Sequence, residues 1–223
     1  MTANAQAPTR NVVGIKTILW ALIVAGFALA LVLGRIGFFA PVPGDTIVSK
    51  LIAAVGPFAL TVTVPPILFL LAYRAIPAFH EFVLAADLRF VTMTQAWRIV
   101  GFYFLALLGI GQLPGSFAWG AGLGDVLIGL AAPFVAIALI RRPDFVRTTR
   151  FAVFHWLGLF DFVAALTAGA ISSGAFPEIA GPLSVAPLAE LPLYLVPGFF
   201  VPIFVMLHFT ALIQAYHARR RIS

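Results

Sequence analysis

Two aspartates, Asp125 and Asp161, two histidines, His155 and His208, and two arginines, Arg35 and Arg98, stand within or at the ends of long apolar runs. Ionisable side chains at membrane depth are rare and costly, so each is a candidate for binding, proton exchange or assembly. Asp125 belongs to the stretch 97–136, which also holds Arg98 and Gln112 and the glycines Gly120, Gly122 and Gly124. On a helix, Gly122, Asp125, Gly129, Ala132 and Ala136 share one face, and Leu127, Leu130 and Phe134 the other. Small residues mark helix–helix contacts in membranes, so Asp125 is expected to point inward. Its expected depth is one turn below the outer end of its span, level with Arg35, its candidate partner in a buried ion pair.

Asp161 lies on a second small-residue stripe, with Gly158, Ala165, Ala168, Gly169 and Ser172. It is expected near the membrane midplane with no cation at its own depth, about 10 Å below Asp125 at 1.5 Å rise per residue. A carboxylate so placed is expected to hold a proton or a cation in exchange. Arg98, Gly101, Gly109 and Gln112 fall on a shared side of the third span, 98–113. Asp125, Asp161, Gln112, Arg35 and Arg98 are therefore the candidate binding residues. His155 and His208 have matched depths in the last two spans, which suits two axial ligands of a b-type haem, or a shared metal. Equally, they could be unrelated polar groups near the interface. His80 and His217 lie in polar segments and are expected to face water.

Gly122-Leu123-Gly124-Asp125 resembles the GxGD signature of intramembrane aspartyl proteases, which implies a catalytic carboxylate at Asp125. Ala86-Asp87-Leu88-Arg89 resembles the other aspartate segment of bacterial prepilin peptidases. Those enzymes need two adjacent carboxylates sharing a proton. The expected topology separates Asp87, on the cytoplasmic side, from Asp125, and Val126-Leu127 stands where a lysine commonly follows the motif. The resemblance covers four residues, and the balance leans away from an enzyme. No phosphate loop, HExxH helix or dinucleotide fingerprint is present.

The elements that must position these groups are helices. The chain has 223 residues, 62% hydrophobic and 10% charged, with mean hydropathy +1.06. A soluble domain carries about a quarter charged residues. Runs of about 20 apolar residues cross a bilayer core as helices, whereas barrel strands would alternate over about 10. Six spans are expected, at 17–39, 51–73, 98–113, 122–140, 151–171 and 190–215. The segment 1–16 precedes a single domain, 17–215, and 216–223 forms a basic tail. The first run is too long for a signal-peptide core and is read as a retained helix. Residues 74–97 form the longest polar connection, with a short interfacial helix in its middle.

Prolines complicate two spans. Pro57, Pro65 and Pro66 are expected to kink or break the second. A proline recurs every fifth position from Pro177 to Pro202, and Pro197 and Pro202 should open the sixth helix and free backbone carbonyls.

The net charge of +6 invites a nucleic-acid reading, but the basic residues fall in connections between apolar runs. Their excess on one side places both termini in the cytoplasm. With no cysteine, the chain has no disulfide or thiolate metal site. Abundant arginine and alanine suggest a GC-rich bacterial source, and hence the bacterial cytoplasmic membrane.

The expected protein is all-α, with a polar site among the third to fifth spans that binds or moves a small solute, proton or cation. Haem-based electron transfer through His155 and His208, and a non-catalytic subunit, are the alternatives. The lipid bilayer is the expected partner, together with a small-molecule or ion substrate and a second membrane protein or another copy of the chain.

Overall fold

The computed structural model describes residues 10–40 and 46–220. It is helical throughout, with no strand among the described residues. Six helices are long and apolar enough to cross a membrane. They belong to α1 (Arg10–Arg35), α2 (Ile47–Ala75), α4 (Leu88–Gly109), α5 (Gly115–Arg141), α6 (Thr149–Ile171) and α8 (Val196–Arg220). Two shorter helices, α3 (Pro77–Ala85) and α7 (Pro177–Ala180), lie in connections.

The bundle has two distinguishable ends. At one, called basal here, the Arg219 guanidinium donates to Arg147 O and Thr148 O, both 2.9 Å. Gln214 Nε2 donates there to Val83 O and Ala86 O, tying the end of α8 to α3. Val91, Leu139, Phe151, Ala211 and Ala215 form the apolar core above it. At the distal end Phe39 stacks between Phe58 and Tyr194, with centroids 5.0 and 5.2 Å apart. Phe104, Phe117, Val185 and Leu188 complete that core.

The outward face is as apolar as the inward one. Trp20, Phe134, Trp156 and Phe160 are all exposed, which is the composition of a lipid-facing surface. The expected small-residue face of α5 is buried, with Ala132 at 0% exposure, and Leu127, Leu130 and Phe134 point away.

Two span boundaries and the continuity of α2 differ from the sequence reading. The third span starts at Leu88, ten residues before Arg98, because Asp87 caps it by accepting from Arg89 N at 2.9 Å. The expected polar connection 74–97 is thus largely helix, and Arg98 lies at mid-span. The fourth span starts at Gly115, which likewise moves Asp125 from near an end to the middle. α2 runs unbroken through Pro57, Pro65 and Pro66. Thr46 and Ser49 close a reciprocal capping box at its start. Residues 1–9, 41–45 and 221–223 lie outside the described residues, and with them parts of the expected N-terminal segment, of the connection between the first two spans and of the basic tail.

Two spans depart from α geometry where they approach the centre. Gln95–Gly101 winds as a 3₁₀ helix, and Ala118–Gly122 as a π-helix. Gly129 lets the 3₁₀ segment close in, since a Cβ there would stand 2.6 Å from Ile99 N. α8 opens with a π-helix at Val196–Phe200, where Val201 N–H reaches back five residues to Val196 O. The next donor in that register would be Pro202, which has no N–H. Pro197 O accepts instead from Thr61 Oγ1 at 3.3 Å, so the expected freed carbonyl exists and α2 takes it.

Candidate functional site

Arg98 sits at the middle of its span with its side chain fully buried. A guanidinium is always charged and carries five N–H donors in a planar fork, so once buried it must find acceptors. It finds four. Nε donates to Asp125 Oδ1 at 2.7 Å, and Nη2 pairs with Asp161 Oδ2. Nη1 reaches Gly158 O at 3.1 Å and His208 Nε2 at 3.2 Å. The face of Phe162 covers the guanidinium carbon at 4.0 Å, a cation–π contact.

Glycines make this approach possible. A Cβ on Gly124 would overlap Asp161 Oδ1, and one on Gly158 would overlap the His208 ring. These two glycines therefore let α5, α6 and α8 close around one arginine.

The hydrogen-bond directions fix the histidine tautomers. Arg98 can only donate, so His208 Nε2 accepts and its proton sits on Nδ1. That proton points to His155 Nδ1, 2.8 Å away. His155 Nδ1 then accepts, and its own proton is on Nε2, a buried atom with no partner among the described residues. A single chain thus runs His155–His208–Arg98 and forks to the two aspartates.

Several expectations are corrected by this geometry. Arg35 is not the partner of Asp125; it is exposed at the end of α1, and Arg98 holds that carboxylate. Asp161 is not without a cation, because the same Arg98 pairs with it. The two aspartates are not a helical step of 10 Å apart in depth, since one guanidinium bridges them. The first two errors follow from placing Arg98 at the cytoplasmic edge of its span, and the third from starting the fourth span at residue 122. Gln112 is exposed beyond the end of α4, where the chain has already turned at Gly111. His80 and His217 are not solvated singly. His80 stacks on Tyr73 at 4.5 Å, and Tyr73 Oη lies 3.1 Å from His217 Nε2.

The geometry does not suit the groups expected from sequence. A bis-histidine haem needs an iron and its ring between two imidazole nitrogens. Here the two Nδ1 atoms are in direct contact and His208 Nε2 is taken by Arg98, so the pair does not fit a haem. In the aspartyl-protease resemblance two carboxylates share a proton directly; here an arginine stands between Asp125 and Asp161, and Asp87 pairs with Arg89 at 2.9 Å outside the bundle.

Beside the centre lies a cavity of about 640 Å³, counting its open mouth. It occupies the distal half of the bundle between α2, α4, α5, α6 and α8, beneath Val185 and Leu188. Asp125 is the one charged residue lining it; Arg98 and Asp161 are not on its wall. Sequence reading missed the role of Phe162 and the cavity wall, because aromatic and aliphatic residues facing a void look the same as residues facing lipid. The close approach at Gly158 was visible only as a stripe, and Gly124 only as one of three neighbouring glycines.

No curated protein and no solved structure matches the chain. A family model described as a domain of unknown function (DUF8737) matches residues 56–216. The match begins inside α2 and contains Arg98, Asp125, His155, Asp161 and His208. Because it covers well over half of the chain, the protein belongs to the DUF8737 family.

Proposed function

We propose that this chain is a multi-pass protein of the bacterial cytoplasmic membrane that binds or moves a small solute, and that its Asp125–Arg98–Asp161 centre exchanges a proton or cation as it does so. The observation that carries the reading is a charge count. One arginine faces two carboxylates at mid-span, with neutral imidazoles behind it. Ionised, the cluster holds one negative charge too many, and net charge in a low-dielectric interior is costly. It becomes neutral by taking one more cation. The adjoining cavity gives that cation, or a solute bearing it, a place to bind.

The charge distribution supports an orientation with both termini in the cytoplasm. Arg74, Arg89, Arg141, Arg142, Arg147, Arg150, Arg219 and Arg220 gather at the basal end, against Arg35 and Lys50 at the other. The cavity then lies in the outer half of the membrane. The test uses proteoliposomes enclosing a pH-sensitive dye and challenged with acid pulses and with sodium or potassium gradients. Wild-type protein is expected to speed pH equilibration in at least one of these conditions, and Asp161→Asn to insert normally but abolish it. Vesicles with wild-type protein that behave as empty vesicles in all three would remove the exchange reading.

A further inference from the structure

We propose that the cavity beside the centre takes an organic cation: a compact apolar body bearing one ammonium group, with the ammonium seated on Asp125. This rests on the exchange reading above and names the chemical class that the centre would accept.

The cavity is a concavity among five helices with a single charged residue on its wall, the form that small-molecule sites take. Its walls are apolar, with Phe58, Phe104, Phe117 and Phe162 as the large side chains. Such walls exclude an ion that keeps its water shell and favour an apolar body. The polar end of the ligand is chosen by which half of the ion pair faces the void. Arg98 is fully buried behind the wall, whereas the Asp125 side chain retains 13% of its exposure. Asp125 Oδ1 is taken by Arg98 Nε, and Oδ2 has no hydrogen bond among the described residues. An entering carboxylate would therefore meet like charge, and an alcohol would leave the centre one cation short. An ammonium supplies both the missing charge and a donor for Oδ2.

A second feature points to the same place. Two segments wound as π-helices contribute to the cavity wall, through Ala121 on α5 and through Val196 and Pro197 on α8. Such turns occur often at functional sites, because they shift the backbone away from regular spacing.

The experiment measures binding of three probes with one body, 1-adamantylamine, 1-adamantanol and adamantane-1-carboxylate, to the full chain in detergent at neutral pH. The amine is expected to bind about tenfold or more tighter than the alcohol, and the carboxylate weakest. In Asp125→Asn the amine is expected to lose its advantage while the alcohol binds as before. Ala54→Phe, which places a ring in the cavity from α2, should abolish binding of all three. Equal binding of the three probes, no binding of any, or an amine preference that survives Asp125→Asn overturns the proposal. Failure of the underlying exchange reading shows separately, as the absence of Asp161-dependent equilibration in the proteoliposomes.

Discussion

Arg98 is the cation that Asp125 and Asp161 share, so the geometry of the centre depends on it. Its position in an apolar run was legible, and so were Asp125 and Asp161 as polar groups turned inward and His155 and His208 as groups of matched depth. Their pairing was not, because hydropathy treats a charge as the end of a span, and Arg98 is instead the middle of one. Replacing Arg98 tests the arrangement directly. Arg98→Ala leaves two buried carboxylates without a cation and is expected to cost about 3–5 kcal/mol or more, read from chemical unfolding in detergent. Arg98→Lys should recover little of this, since an ammonium on a flexible stem cannot fork to acceptors on three helices. Gly158→Ala is expected to cost about 1–3 kcal/mol by overpacking, because the new Cβ would meet the His208 ring. A fully tolerated alanine there would contradict the packing of α6 on α8.

At the scale of elements, the apolar spans were readable from composition, and the stripe on α5 correctly separated its buried and exposed faces. The start of α4 was not, because its signal is a single capping aspartate within a mixed-polarity segment. Asp87 accepts from the backbone and side chain of Arg89, and the Arg89 side-chain hydrogen bond is the main cause holding its carboxyl below the usual aspartate range. A depressed folded value means that the cap contributes fully above the ordinary aspartate range. The contribution is lost as pH falls through the lowered folded value. The group is half exposed, so the ion pair itself adds little. Asp87→Ala is expected to cost roughly 1 kcal/mol at neutral pH and to speed amide exchange at Arg89 and Phe90; the difference from wild type should shrink in acid. The irregular turns were legible only in part. Pro197 and Pro202 foretold an opened helix, but nothing in the sequence indicated that Thr61 on α2 would take the carbonyl so released.

For the whole molecule, the sequence pattern and the structure agree on six helices long and apolar enough to cross a membrane, and the cytoplasmic placement of both termini is a prediction from charge. It is checked with cysteines at Glu178, exposed on α7, and at Asp144, exposed in the basal connection. In intact cells an impermeant thiol reagent is expected to label position 178 and to spare 144; the reverse pattern would invert the orientation. The central claim is that the buried centre is one cation short. The most direct test compares thermal stability of wild type, Asp125→Asn, Asp161→Asn and the double variant in one detergent with no added ligand. Each single asparagine keeps an acceptor for Arg98 and leaves one positive charge on one carboxylate. Both single variants are therefore expected to melt at or above the wild-type temperature. The double variant strands Arg98 and should lose about 3–5 kcal/mol. Single variants that each lose as much as the double would mean that both negative charges are needed to hold the bundle together, and would contradict the account.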